Sequence, residues 1–208
     1  MSAFLGPIHY WLYNKIILHE ELIGSIVDLA GTRDFDTKKL VEDSYSKFGE
    51  PVTGALEDHI EHSNIHGWLQ DRIFSVEKRL AYVTTELLKA DTVKVEEVED
   101  IFRKSGAEAA RSLEITESKP QDLFKLIFDN MLEGMPCDRV NEITENTEEA
   151  ITWQTTRCLH KDHWDQVGGD INNFYKFREN WIAGFLNESE TGYSYSRTAD
   201  GMNTIRRM

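Results

Sequence analysis

Apolar side chains recur at helical spacing along most of the first 133 residues, and from about residue 137 the pattern changes to runs rich in Thr, Ile, Val and Trp. A chain that changes period in this way segregates helices from strands, which places it in the α+β class. The expected architecture is a helical N-terminal portion followed by an antiparallel sheet of two hairpins with an intervening helix. The first hairpin lies in "CDRVNEITENTEEAITWQTTRCL" (137–159), turning at "ENTEE", and the second turns at Asp200-Gly201 inside "GYSYSRTADGMNTIRRM" (192–208). The helix between them is expected over about 161–186. Upstream, helices are expected over about 3–30, from Asp36 or Thr37 to the break at "GEP" (49–51), over about 53–90 with weak points at Asn64 and Gly67, and near 93–114 and 120–133. The helical portion, 1–115, and the α+β portion, 116–208, are not separated by a low-complexity linker.

With 208 residues, 40% of them hydrophobic, the chain has ample material for a packed core. Its formal net charge of -14 argues against a nucleic-acid partner and against anionic membrane surfaces, since both draw on clustered Lys and Arg. The first apolar run is interrupted by His9, Asn14, Lys15, His19, Glu20 and Glu21, which suits neither a secretion signal nor a membrane span. Two cysteines, Cys137 and Cys158, are too few for a disulfide framework. A cytoplasmic protein is the expectation.

Two phrases are nearly the same: "IHYWLYNKI" at 8–16 and "IHGWLQDRI" at 65–73. On a helix, His9, Leu12, Ile16, His19, Glu20, Ile23 and Val27 share one stripe, and His59, His62, His66, Leu69, Ile73, Glu77 and Leu80 share another if the helix runs through Gly67. Aligning the copies sets Glu20 opposite Glu77, each eleven residues after its histidine. Antiparallel packing would then level each His with the other helix's Glu, with Trp11 and Trp68 buried. One reading of the motif "HIEHSNIH" is a metal site in a helical bundle, with His62 and His66 one turn apart and His59 and Glu20 completing the set. A divalent transition metal is the cofactor class such a set takes. The competing reading is a structural one, in which buried imidazoles hydrogen-bond to Glu or backbone groups.

The second chemical candidate is "TTRCLHKDHWDQVGGD" (155–170), where Cys158 ends a strand, His160 and His163 follow, and a helix begins near Lys161. Imidazolium and a helix N-terminus both favour the thiolate, the form that acts as a nucleophile. His160 or His163 is the candidate general base, and Arg157 the candidate clamp for a substrate carboxylate. Strict alternation along "AITWQTTRC" would nevertheless point Arg157 and Cys158 to opposite faces.

Over residues 100–208 the order "IFRKSGAEAARSLEI", "LFKLIFDNMLEGMPCDRVNEI", "EEAITWQTTRCLHKDHW" and "ESETGYSYSRTADGMNTIRR" resembles bacterial proteins of the L-2-amino-thiazoline-4-carboxylic acid hydrolase type. What is shared is a helix around a Gly-Ala pair, a hairpin ending in Arg-Cys, another helix and a closing hairpin. Such proteins tend to carry a further Cys after the glycine of the last hairpin, whereas here Gly201 is followed by Met202, Asn203, Thr204 and Ile205. The resemblance implies a hydrolase acting on a carboxylate-bearing amidine or cyclic substrate, with a small-molecule ligand as its partner. Two alternatives stand beside it: a non-catalytic metal- or small-ligand-binding sensor with a His-lined helical bundle, and a structural helical protein that forms homo-oligomers.

Overall fold

The computed structural model describes residues 5–113, 115 and 118–208. Its helices are α1 (Pro7–Gly31), α2 (Thr37–Phe48), α3 (Ile65–Lys89), α4 (Val95–Arg111), α5 (Pro120–Asn130), α6 (Lys161–Gln166) and α7 (Ile171–Glu188). Its strands are β1 (Asn141–Asn146), β2 (Ala150–Thr155), β3 (Tyr193–Arg197) and β4 (Met202–Arg207). The fold is α+β, and the two hairpins join into one four-stranded antiparallel sheet of order β1-β2-β4-β3. Among the described residues no helix is long and apolar enough to cross a membrane. The chain divides into two compact units, one of residues up to 94 with 160–170, the other of 95–159 with 171–208.

In the first unit α1 and α3 pack side by side. Pro7 opens α1, where its missing N–H costs nothing, and the Asn64 side chain opens α3 by accepting the Gly67 N–H at 3.2 Å. Contacts between the two helices run in step: His9 meets His66, the Tyr13 ring lies 6.4 Å from that of Trp68, and Arg79 holds the Glu20 carboxylate in an ion pair. The helices are therefore parallel, which corrects the expected antiparallel pairing. The chain is able to return because the stretch 49–64 runs back beside α1, where Tyr13 donates to the Gly54 carbonyl at 3.1 Å and Tyr10 to Glu57 at 2.6 Å.

Parallel packing also explains why the phrase is written twice. Leu12, Ile16, Ile23, Ile26 and Ala30 are buried, and so are Leu69, Ile73, Leu80, Val83 and Leu87, each 57 residues on. This alternating three- and four-residue spacing is the pattern of a helix–helix seam. Trp11 and Trp68 lie one position off it and are only half-buried, each flanked by a cation, Lys15 Nζ at 3.4 Å from the Trp11 ring and the Arg72 guanidinium at 5.9 Å from that of Trp68. Ile73, 0% exposed, is a seam position, so Ile73→Ala should cost about 3 kcal/mol in urea unfolding. Ile8→Ala, at a position 44% exposed, should stay within about 0.5 kcal/mol.

The helix expected over 161–186 is two helices. Gly168 has φ +67, outside the helical region, and Gly169 sits where a Cβ would lie 2.4 Å from Thr85 Oγ1 and 2.9 Å from the Trp164 ring. The break turns α6 onto α3, burying His160, His163 and Trp164.

In the second unit the sheet has one covered face and one polar face. Trp153, Asn203 and Arg197 form one rung of the covered face, and Ile151, Ile205 and Tyr195 the next. Phe124 and Phe128 of α5 meet Trp153 edge-on, with ring centroids 4.9 and 5.7 Å away. The opposite face carries hydroxyls such as Thr152 and Thr204, 3.2 Å apart. Helices α4 and α7 cross through Gly106 and Gly184 with their backbones nearly touching, and Phe102 stacks on Phe177 at 5.2 Å.

Candidate functional site

The histidines of the first unit fall into two separate groups. At the start of α1 the Gly6 N–H donates to His9 Nδ1 at 2.8 Å, and His9 Nε2 lies 3.3 Å from His66 Nε2. A ring whose Nδ1 accepts carries its proton on Nε2 when neutral, so His9 is the donor and His66 the acceptor. His9 Nε2 is thus not a lone pair offered to an ion. His62 is exposed and precedes the Asn64 cap, so it is not one helical turn from His66, while His59 Nε2 bonds to the Thr53 carbonyl at 2.8 Å and Glu20 is held by Arg79. The metal set drawn from the sequence, His62, His66, His59 and Glu20, therefore does not converge, because α3 starts at Ile65 and not near 53. Among the described residues no group of three or more His, Cys, Asp or Glu side chains is placed to hold a metal ion.

The other group is Glu77 with His160 and His163. Glu77, 8% exposed, sets Oε1 at 2.8 Å from His160 Nδ1 and Oε2 at 3.2 Å from His163 Nε2. Burial opposes the carboxylate charge, but the two imidazoles outweigh it and hold the Glu77 pKa well below the usual carboxylate range. Phe74 covers His163 edge-on with centroids 5.4 Å apart. Both imidazoles are thereby engaged by a single buried carboxylate.

Cys158 belongs to the second unit and lies three residues beyond the end of β2. It is half-buried, whereas Cys137 is exposed. Its neighbour is Tyr175 of α7: burial and a hydrogen bond with the Cys158 thiol push the Tyr175 pKa up to about 12, against the opposing effect of the Arg197 charge. The Arg197 guanidinium lies over the Tyr175 ring, 3.7 Å from its centroid. A polar chain runs along the same covered face. Tyr195 donates to Asn203 Oδ1 at 2.7 Å, Asn203 Nδ2 donates to Thr155 Oγ1 at 3.2 Å, Thr155 donates to Asn141 Oδ1 at 3.0 Å, and Asn141 reaches Glu133, the ion-pair partner of Arg178. Burial pushes the Tyr195 pKa above its ordinary value. Such a face offers hydroxyl and amide groups with fixed donor and acceptor roles beside a thiol and a cation.

Arg157, the clamp expected from sequence, is 64% exposed in its side chain and pairs with Asp138 at 3.5 Å. Tyr175 and Arg197 escaped the sequence reading. Arg197 did leave a signal: Tyr193, Tyr195 and Arg197 share one face by two-residue alternation, which puts a cation on an aromatic surface. Tyr175 left none, being one of several aromatics in α7. Comparison with protein-family models, with curated proteins and with solved structures finds no match to this chain.

Proposed function

We propose that the protein is a small-molecule hydrolase acting on a carboxylate-bearing amidine or cyclic substrate, with Cys158 as nucleophile. The observation that carries this reading is the half-buried Cys158 thiol against the Tyr175 hydroxyl, with Arg197 stacked beside them. The resemblance to L-2-amino-thiazoline-4-carboxylic acid hydrolases points the same way. With a pKa of about 12, Tyr175 holds its proton at neutral pH and acts as a donor. The Cys158 thiolate adds to the electrophilic sp2 carbon, and the departing nitrogen or sulfur takes the Tyr175 proton as its bond to that carbon breaks. Water then adds to the carbon, Sγ leaves, and one of the water protons returns to Tyr175. The products are the ring-opened or deaminated compound and the free enzyme.

The test is turnover of 2-amino-thiazoline-4-carboxylate and related cyclic amidines, followed by chromatography. Cys158→Ser should lower kcat by about 1000-fold or more, and Tyr175→Phe by about 100-fold. Turnover that survives Cys158→Ser would remove the nucleophile role. Ligand binding without any turnover would instead favour the sensor alternative.

A further inference from the structure

We infer that Arg197 is the group that selects a carboxylate at the Cys158 site, an inference that rests on Cys158 being the reacting residue. Three arginines belong to the segments around the thiol and Tyr175. Arg157, next to Cys158 in the chain, is held by Asp138 at 3.5 Å. Arg178, one turn after Tyr175 in α7, is held by Glu133 and also donates to the Leu132 carbonyl at 3.1 Å. Arg197 has no carboxylate within ion-pair distance among the described residues, and its close contact is the Tyr175 ring. A guanidinium stacked on an aromatic face keeps its in-plane N–H groups directed outward, and that fork matches the two oxygens of a carboxylate.

The position of Arg197 is fixed from both sides. It stands on the covered face of the sheet in the rung of Trp153 and Asn203, with its Cζ over the Tyr175 ring of α7. The half-buried surroundings strengthen its field relative to an exposed arginine. Among the charges near it, Glu179 and Asp200 both feel Arg197, while Glu133 is committed to Arg178. A dianion such as a phosphate monoester would be repelled by these carboxylates more strongly than a monoanion. The structure thus favours a small monocarboxylate whose electrophilic carbon is presented to Cys158.

The experiment compares alkylation of Cys158 by iodoacetate and by iodoacetamide in the Cys137→Ser protein, where Cys158 is the remaining thiol. In each reaction Sγ forms a bond to the methylene carbon and iodide departs, so the two reagents differ in charge and not in chemistry. Relative to N-acetylcysteine, the iodoacetate-to-iodoacetamide rate ratio should be raised about tenfold, and it should fall on adding salt. Arg197→Gln should return the ratio to the free-thiol value, the ratio cancelling any change in intrinsic thiol reactivity; Arg197→Lys should retain part of it, and Arg157→Gln all of it. A ratio equal to that of the free thiol in the Cys137→Ser protein, or one that collapses in Arg157→Gln and survives in Arg197→Gln, overturns the assignment of Arg197. Failure of Cys158 to react with either reagent would overturn the nucleophile reading as well, so the two failures are distinguishable. Near-UV circular dichroism of Arg197→Gln checks its fold, and if that variant does not fold, the salt dependence together with Arg197→Lys decides the question.

Discussion

Replacing Gly106 or Gly184 with alanine is expected to unfold the second unit or to cost at least about 3 kcal/mol. Two effects compete at each position. Glycine to alanine inside a helix gains about 1 kcal/mol in propensity. Against this, a Cβ built on Gly106 would stand 2.0 Å from the Trp181 carbonyl oxygen, and one built on Gly184 would stand 2.0 Å from that of Arg103. Contacts that short are relieved only by separating α4 from α7, which loosens the Phe102–Phe177 stack and the Trp181 hydrogen bond to Ser105 Oγ at 3.2 Å. Overpacking of this kind commonly costs about 1–3 kcal/mol, and here the obstacle is rigid backbone, not a flexible side chain. Gly24 in α1 has nothing within 4 Å of its would-be Cβ, so Gly24→Ala should stabilise the protein by roughly 0.5–1 kcal/mol. Urea unfolding followed by far-UV circular dichroism measures all three, and stabilisation by Gly106→Ala would contradict the close crossing.

Glu77→Gln should be the most damaging single change in the first unit that preserves side-chain shape. It removes the charge that the two imidazoles share and leaves their ring nitrogens facing an amide. Removing the charged partner from a buried cluster of this kind costs about 3 kcal/mol or more. The pH dependence has a defined sign. Glu77 has a depressed pKa in the folded state, so its contribution is fully present above the ordinary carboxylate value of about 4.3 and is lost as pH falls from there towards the folded value. Stability of the unaltered protein should therefore drop on acidification below about pH 4.3, and Glu77→Gln should flatten that drop. Equal acid slopes in the two proteins would show that Glu77 is not the group being titrated.

By itself the sequence determined the fold class and the coarse order of helices and hairpins, because periodicity is a local property of the chain. It determined neither the start of α3 nor the break between α6 and α7. The switch from helical spacing to alternation near residue 137 placed β1 and β2, and Asp200-Gly201 placed the turn between β3 and β4, where Gly201 takes φ +86. The 57-residue echo of "IHYWL" in "IHGWL" marked two helices with one phase. Their parallel sense was decided by the return of the stretch 49–64 beside α1, a fact of chain path that no local pattern carries. Local caps decided a further point: Asn64 starts α3 late, which takes His59 and His62 off the helix and dissolves the spacing on which the metal set depended. Cys158 was legible as a chemical residue from its neighbourhood in the sequence, but its partner was not. Tyr175 and Arg197 come from segments 17 and 39 residues farther along the chain, counting from Cys158, and stack only because the sheet and α7 bring them together. Likewise Glu77 lies 83 residues before His160, and the glycine break after α6 is what folds both histidines onto it. Side-chain neighbours separated this far along the chain are set by packing, and only the tertiary structure records them.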